Sequence, residues 1–144
     1  MPQDIYIAGA ARLPIGKFGG SLARLSLTEL GSLAAEVAIE RSGLSGADLD
    51  TAVASNVMPV VPKDLYLSRA IAKNVGMPDS STAMGVNRLC GSGVQAVISA
   101  AQLLQSGDGS LALAVGAESM SNAPTPSKAR ALASAWVTAN STTG

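Results

Sequence analysis

The chain has 144 residues, of which 47% are hydrophobic, 14% charged and 3% aromatic, and its ten basic residues balance its ten acidic ones. That length suits one domain with an aliphatic core, and the balanced charge, without a basic stripe or interleaved aromatics, argues against a nucleic-acid surface. No apolar run approaches the roughly 18 residues of a membrane span; a single cysteine and no histidine preclude an intrachain disulfide and leave no ligand set for a metal.

Met1–Tyr6 lacks the basic and apolar regions of a signal peptide, and a lone cysteine fits a reducing, cytoplasmic compartment. Ile5–Ala10 predicts a short buried strand, and Arg12–Ser21, with Pro14, Gly16, Gly19 and Gly20, a loop. Ser26-Leu27-Thr28-Glu29 has the spacing of a capping box. Leu30, Leu33, Ala34, Val37 and Ala38 then recur at helical spacing until Gly43 closes the helix. Thr51–Val57 predicts a second strand, and Pro59 and Pro62 mark a loop. Lys63–Val75 is helical, ending at Gly76 with Pro78 beyond. Ser81–Val86 predicts a third strand, Cys90 or Gly91 to Gln105 a helix, and Leu111–Gly116 a further buried strand.

The order β-α-β-α-β-α-β argues for an α/β layer structure around a mostly buried sheet. In such sheets reactive groups collect beyond the carboxyl ends of the strands. Cys90 lies at one strand-to-helix junction, and Glu118–Asn122 follows the last strand toward the same rim. The stretch after Pro124 is rich in Ala, Ser and Thr, has no acidic residue and keeps no clear period.

The cysteine sits in Asn87-Arg88-Leu89-Cys90-Gly91-Ser92-Gly93. On one reading it is a small buried hydrophobe. On the other it is a nucleophile. A helix N-terminus offers free N–H groups and a dipole that favour a thiolate. Gly91 and Gly93 clear space for a substrate, and first-turn N–H groups can stabilise an oxyanion. The difficulty is the base, because the chain has no histidine. Gly91–Ala96 also reads as G-x-G-x-x-A, a weak dinucleotide fingerprint with Glu118 as ribose acceptor, although that motif normally follows the first strand of its unit. Gly16-Lys17 lacks P-loop spacing, and Gly91-Ser92-Gly93 lacks the G-x-S-x-G spacing that would make Ser92 a nucleophile.

Three blocks in order carry a family resemblance. Ala11–Ser21 resembles the A-R-T-P-I-G-x-F-G-G-S block of thiolases, Asn87–Gly93 their nucleophile block, and Gly116–Pro124 their G-x-E-S-M-S-x-A-P block. The chain is similar to short-chain β-ketothiolases, including acetyl-CoA acetyltransferases, and Asp64–Arg69 resembles members with broader short-chain specificity. The resemblance implies the N-terminal half of a thiolase fold, truncated, with a buried mixed sheet. It implies fatty acid metabolism and an acyl-CoA C-acyltransferase working by ping-pong transfer. Cys90 would carry the acyl group, and its backbone N–H would contribute to an oxyanion hole.

The same resemblance implies acyl-CoA substrates, no prosthetic cofactor, and assembly as a homodimer or homotetramer. The activating histidine, the second oxyanion-hole histidine and the second cysteine belong to the family's C-terminal half and have no matching positions here, so the chain alone is expected to be inactive. Residues 1–124 form the expected thiolase domain, incomplete. Residues 125–144 read as an out-of-frame or a divergent, disordered tail. The alternative reading is a non-catalytic module that joins a thiolase subunit or a separate C-terminal half.

Overall fold

In the computed structural model, which describes residues 4–123, Ser26 caps the first helix, α1 (Leu27–Ser42), as its spacing predicts. The Glu29 N–H donates to Ser26 Oγ at 3.2 Å, and the Ser26 N–H donates to Glu29 Oε2 at 2.7 Å, so two orphan donors of the first turn are satisfied. Gly43, with φ 72, ends the helix in the left-handed conformation that glycine adopts without a Cβ penalty.

The face that α1 buries is not the one its large apolar residues mark. Leu27, Gly31, Ser32 and Ala35 are buried, while Leu33 and Val37 are exposed. The reason is distance: α1 packs on helix α2 (Leu67–Asn74) and on strand β3 (Ala112–Gly116). At Gly31 an added Cβ would run into the Ile71 side chain and lie 3.4 Å from Val115 Cγ1. Close approach selects small residues, and the larger stripe is left outside.

Three parallel strands form the sheet, in the order β2-β1-β3, with β1 at Thr51–Ser55 and β2 at Thr82–Val86. Every residue of β1 is buried, the pattern of a strand covered on both faces. Side chains alternate between two layers. Ala52, Ala54, Leu113 and Val115 join the core with α1 and α2. Val53, with Ala112 and Ala114, packs against Ala96 and Ala100 of helix α3 (Ser92–Ser106) on the other face. The result is a helix–sheet–helix sandwich. The α/β class matches expectation, but among the described residues the sheet is purely parallel rather than mixed.

The first expected strand does not form. Ile5–Ala10 has no regular structure, and Tyr6 and Ile7 are about four-fifths exposed, at 83% and 81%. The segment lies along α1: a Cβ on Gly9 would strike the Ala38 carbonyl, and Arg41 donates to the Ala10 carbonyl at 2.8 Å. On its other side a groove of about 1020 Å³ separates it from β3, lined by Ile5, Leu30, Ala34, Val97, Leu104 and Leu113 among others. A strand needs a neighbouring backbone for its N–H and C=O groups, and among the described residues no strand pairs with this segment. The expected tail over 125–144 lies outside the described residues.

Carboxylates fasten several turns. Asp50 Oδ2 accepts from the N–H groups of Ser110 (2.7 Å) and Leu111 (3.1 Å), tying the start of β1 to that of β3. Asp48 Oδ2 accepts from Ser45 Oγ (2.7 Å) and the Ser45 N–H (2.8 Å), and Lys73 Nζ meets Asp79 Oδ1 at 2.7 Å. These contacts hold Asp48, Asp50 and Asp79 below their ordinary value of 3.8, and the capping contacts hold Glu29 below 4.5. The charged forms are favoured in the folded state. Their stabilisation is therefore complete above those ordinary values and disappears as pH falls through the lower folded ones. Melting temperature should stay flat from neutrality to about pH 5 and drop below about pH 4, and Asp50→Asn should weaken that drop.

Candidate active site

The three strands end together. Ser55 of β1 is in register with Val86 of β2 and Gly116 of β3, so the chain leaves the sheet three times along one rim. The segment leaving β2 is Asn87–Gly91, a tight turn into α3. Cys90 stands on it, exposed, immediately before the N-cap residue Gly91. The buried-hydrophobe reading of this cysteine is therefore overturned.

Two side chains brace the turn from opposite ends. Ser92, 4% exposed, accepts from the Arg88 N–H at 2.8 Å and donates to the Leu89 carbonyl at 2.6 Å. Asn87 Oδ1 accepts from the Leu89 N–H at 3.0 Å. Between them Leu89 takes φ 50, a left-handed conformation that among the described residues no other non-glycine residue adopts. Arg88 lies back along α3, its guanidinium donating to Gln95 Oε1 at 3.0 Å. Neither glycine is forced by packing: a Cβ on Gly93 would meet nothing, and one on Gly91 would sit 3.4 Å from the Arg88 carbonyl. The space beside the thiol is open.

The third block closes the rim. The Glu118 carboxylate accepts from the N–H groups of Val57 (2.9 Å) and Met58 (3.0 Å), and from Asn56 Nδ2 (3.2 Å). Asn56 Oδ1 is buried without a hydrogen-bond partner among the described residues. With these three donors on it, Glu118 works as a loop clamp, and the ribose-acceptor role of the dinucleotide reading would have to compete with them. Ser121 Oγ accepts from the Gly19 N–H at 2.9 Å, and Asn122 Nδ2 donates to the Ala23 carbonyl at 2.8 Å. The blocks Ala11–Ser21 and Asn87–Gly93, far apart in sequence, are thus joined at one rim through the described part of the third block, residues 116–123.

The sequence indicated Cys90 and the rim position of Glu118. It did not indicate the bracing by Asn87 and Ser92, although an Asn two residues before a turn position carries an Asx-turn signal that could have found the first. Among the described residues no group of three or more His, Cys, Asp or Glu side chains forms a metal site, and no helix is long and apolar enough to cross a membrane.

A helix–sheet–helix sandwich whose three motif blocks converge at the strand ends has the thiolase fold. The chain belongs to the thiolase family: the family model described as "Thiolase, N-terminal domain" matches residues 5–143. It is 44% identical over 124 residues to the beta-ketothiolase BktB of Cupriavidus necator, covering 86% of this chain and 32% of that one. It is 40% identical over 121 residues to the acetyl-CoA acetyltransferase of Schizosaccharomyces pombe, covering 84% and 30%. Its structure matches human mitochondrial 3-ketoacyl-CoA thiolase in complex with CoA with a TM-score of 0.81 at 34% identity, over 83% of this chain and 30% of that one. The chain spans about a third of the length of the curated relatives it matches.

Proposed function

We propose that this chain supplies the nucleophile of an acyl-CoA C-acyltransferase of the thiolase type. Cys90 Sγ attacks the carbonyl carbon of an acyl-CoA thioester, the bond from that carbon to the CoA sulfur breaks, and the acyl group passes to Cys90. The α-carbanion of a second acyl-CoA then attacks the acyl-cysteine. A carbon–carbon bond forms, the Cys90 sulfur leaves, and 3-ketoacyl-CoA is released. Run backwards, the sequence is thiolysis. The backbone N–H of Cys90 helps to bind the oxyanion of the tetrahedral intermediates. CoA arrives on the substrates, so the chemistry needs no prosthetic cofactor.

The observation that carries this reading is the exposed Cys90 on a braced turn, with open space over Gly93, in a chain of the thiolase family. The proton on Cys90 and the α-proton of the second substrate both need a base. The sequence has no histidine and no second cysteine, so neither residue type supplies that base here and acyl transfer to Cys90 is slow. The groove beside β3 favours the companion reading that a thiolase subunit, or a separate polypeptide equivalent to the family's C-terminal half, completes the site.

Incubation with acetyl-CoA followed by intact-mass analysis tests the proposal. The expected result is slow acetylation confined to Cys90, with no sustained formation of acetoacetyl-CoA by the chain alone. Absence of the adduct from protein whose Cys90 is still alkylated by iodoacetamide would remove the assignment.

A further inference from the structure

Leu89 pays no attention to what leucine prefers; its φ of 50 needs support from outside the residue. That support can be followed bond by bond. Asn87 Oδ1 takes the Leu89 N–H at 3.0 Å, and the same amide donates through Nδ2 to the Val57 carbonyl at 3.2 Å. The Val57 and Met58 N–H groups, in turn, are held by the Glu118 carboxylate at 2.9 and 3.0 Å. The contacts link the segments after all three strands, and they end one residue before the thiol.

We propose that Asn87 and Glu118 are positioning residues: through the segment after β1 they hold Leu89 left-handed and so fix Cys90 at the start of α3. The functional meaning rests on Cys90 being the acyl acceptor, but the coupling itself does not require acyl-CoA. Asn87 acts directly and Glu118 through Val57. Without the Asn87 acceptor, the turn populates conformers in which Leu89 is relaxed and Cys90 has left its place. The observed reactivity then falls by the fraction of competent turn that remains. Glycine at position 89 adopts positive φ without strain, so the turn no longer needs the brace.

Iodoacetamide alkylation of the single cysteine reads this coupling in the full chain, with a thermal melt on each variant. Asn87→Ala should slow alkylation about three- to tenfold, the weight of one ordinary hydrogen bond. In a Leu89→Gly background the same substitution should change the rate by less than about twofold, because two groups acting on one turn are not additive. Asn87→Ser, whose hydroxyl can still accept from the N–H two residues on, should restore most of the rate. It also serves as the readout if the alanine variant does not fold. Glu118→Gln should slow alkylation in the same direction by a smaller factor. An unchanged rate in Asn87→Ala, a loss of equal size with and without Leu89→Gly, or Asn87→Ser as slow as alanine would overturn the proposal. Separate loss of acetylation from acetyl-CoA with this alkylation pattern intact would count against the acyltransferase reading alone.

Discussion

Cys90→Ser is expected to abolish acetylation by acetyl-CoA, with a loss on the order of a thousandfold or more, as when other covalent nucleophiles are removed. The fold should be unaffected, since Cys90 is exposed and the turn is held by Asn87 and Ser92 rather than by the thiol. A serine hydroxyl without an adjacent base is a weak nucleophile. Ser92 cannot take over, because its hydroxyl donates to the Leu89 carbonyl and accepts from the Arg88 N–H. Intact-mass analysis of the two proteins side by side is the measurement. A serine variant that acquires the acetyl group at the parent rate would show that the acceptor lies elsewhere.

Gly46→Ala should be the most damaging single methyl in the fold. Gly46 is buried in the short turn before β1, and a Cβ there would overlap the Val75 carbonyl and press on the backbone of Gly76. Backbone cannot step aside as a side-chain end can, so one of the two segments must move. Overpacking of this kind costs about 3 kcal/mol, or roughly 10–20 °C in melting temperature for a domain of this size. Gly93→Ala is the control. Its Cβ meets nothing, and helix propensity favours alanine there, so it should melt at or slightly above the parent. Equal melting temperatures for the two variants would mean that the approach of Val75 to Gly46 is looser than it looks.

Much of this fold is legible locally. The capping box, the left-handed glycines at 43, 76 and 107, and the continuous apolar run of β1 each follow from a few adjacent residues. What misleads is anything decided at a distance. The large apolar residues of α1 suggest one face, yet Gly31 and Ala35 are buried because α2 and β3 come too close for anything bigger. Ile5–Ala10 has the composition of a strand but, among the described residues, only helix α1 beside it and no strand to pair with. At the site, the thiol and its glycines announce themselves in seven residues. The clamp does not, because Glu118 and Val57 are neighbours only after the strands align their ends. Ser92 shows the same limit from the other side: the sequence marks it only as a residue without nucleophile spacing, and in the structure it is the staple of the turn.

The position of the thiol within the sheet has a consequence for heat. Cys90 hangs from β2, an edge strand with two partly buried and three exposed residues, while the fully buried strand is β1. Local opening begins where contacts are few and propagates inward, so the free energy of exposing a segment is smallest at the margin. The turn that carries Cys90 therefore leaves the strand with the fewest buried residues of the three, and Asn87 ties it inward to Val57. On warming, the order of the turn that carries Cys90 should be lost while the β1 core is still intact, so alkylation of the thiol should change at a lower temperature than the main melt.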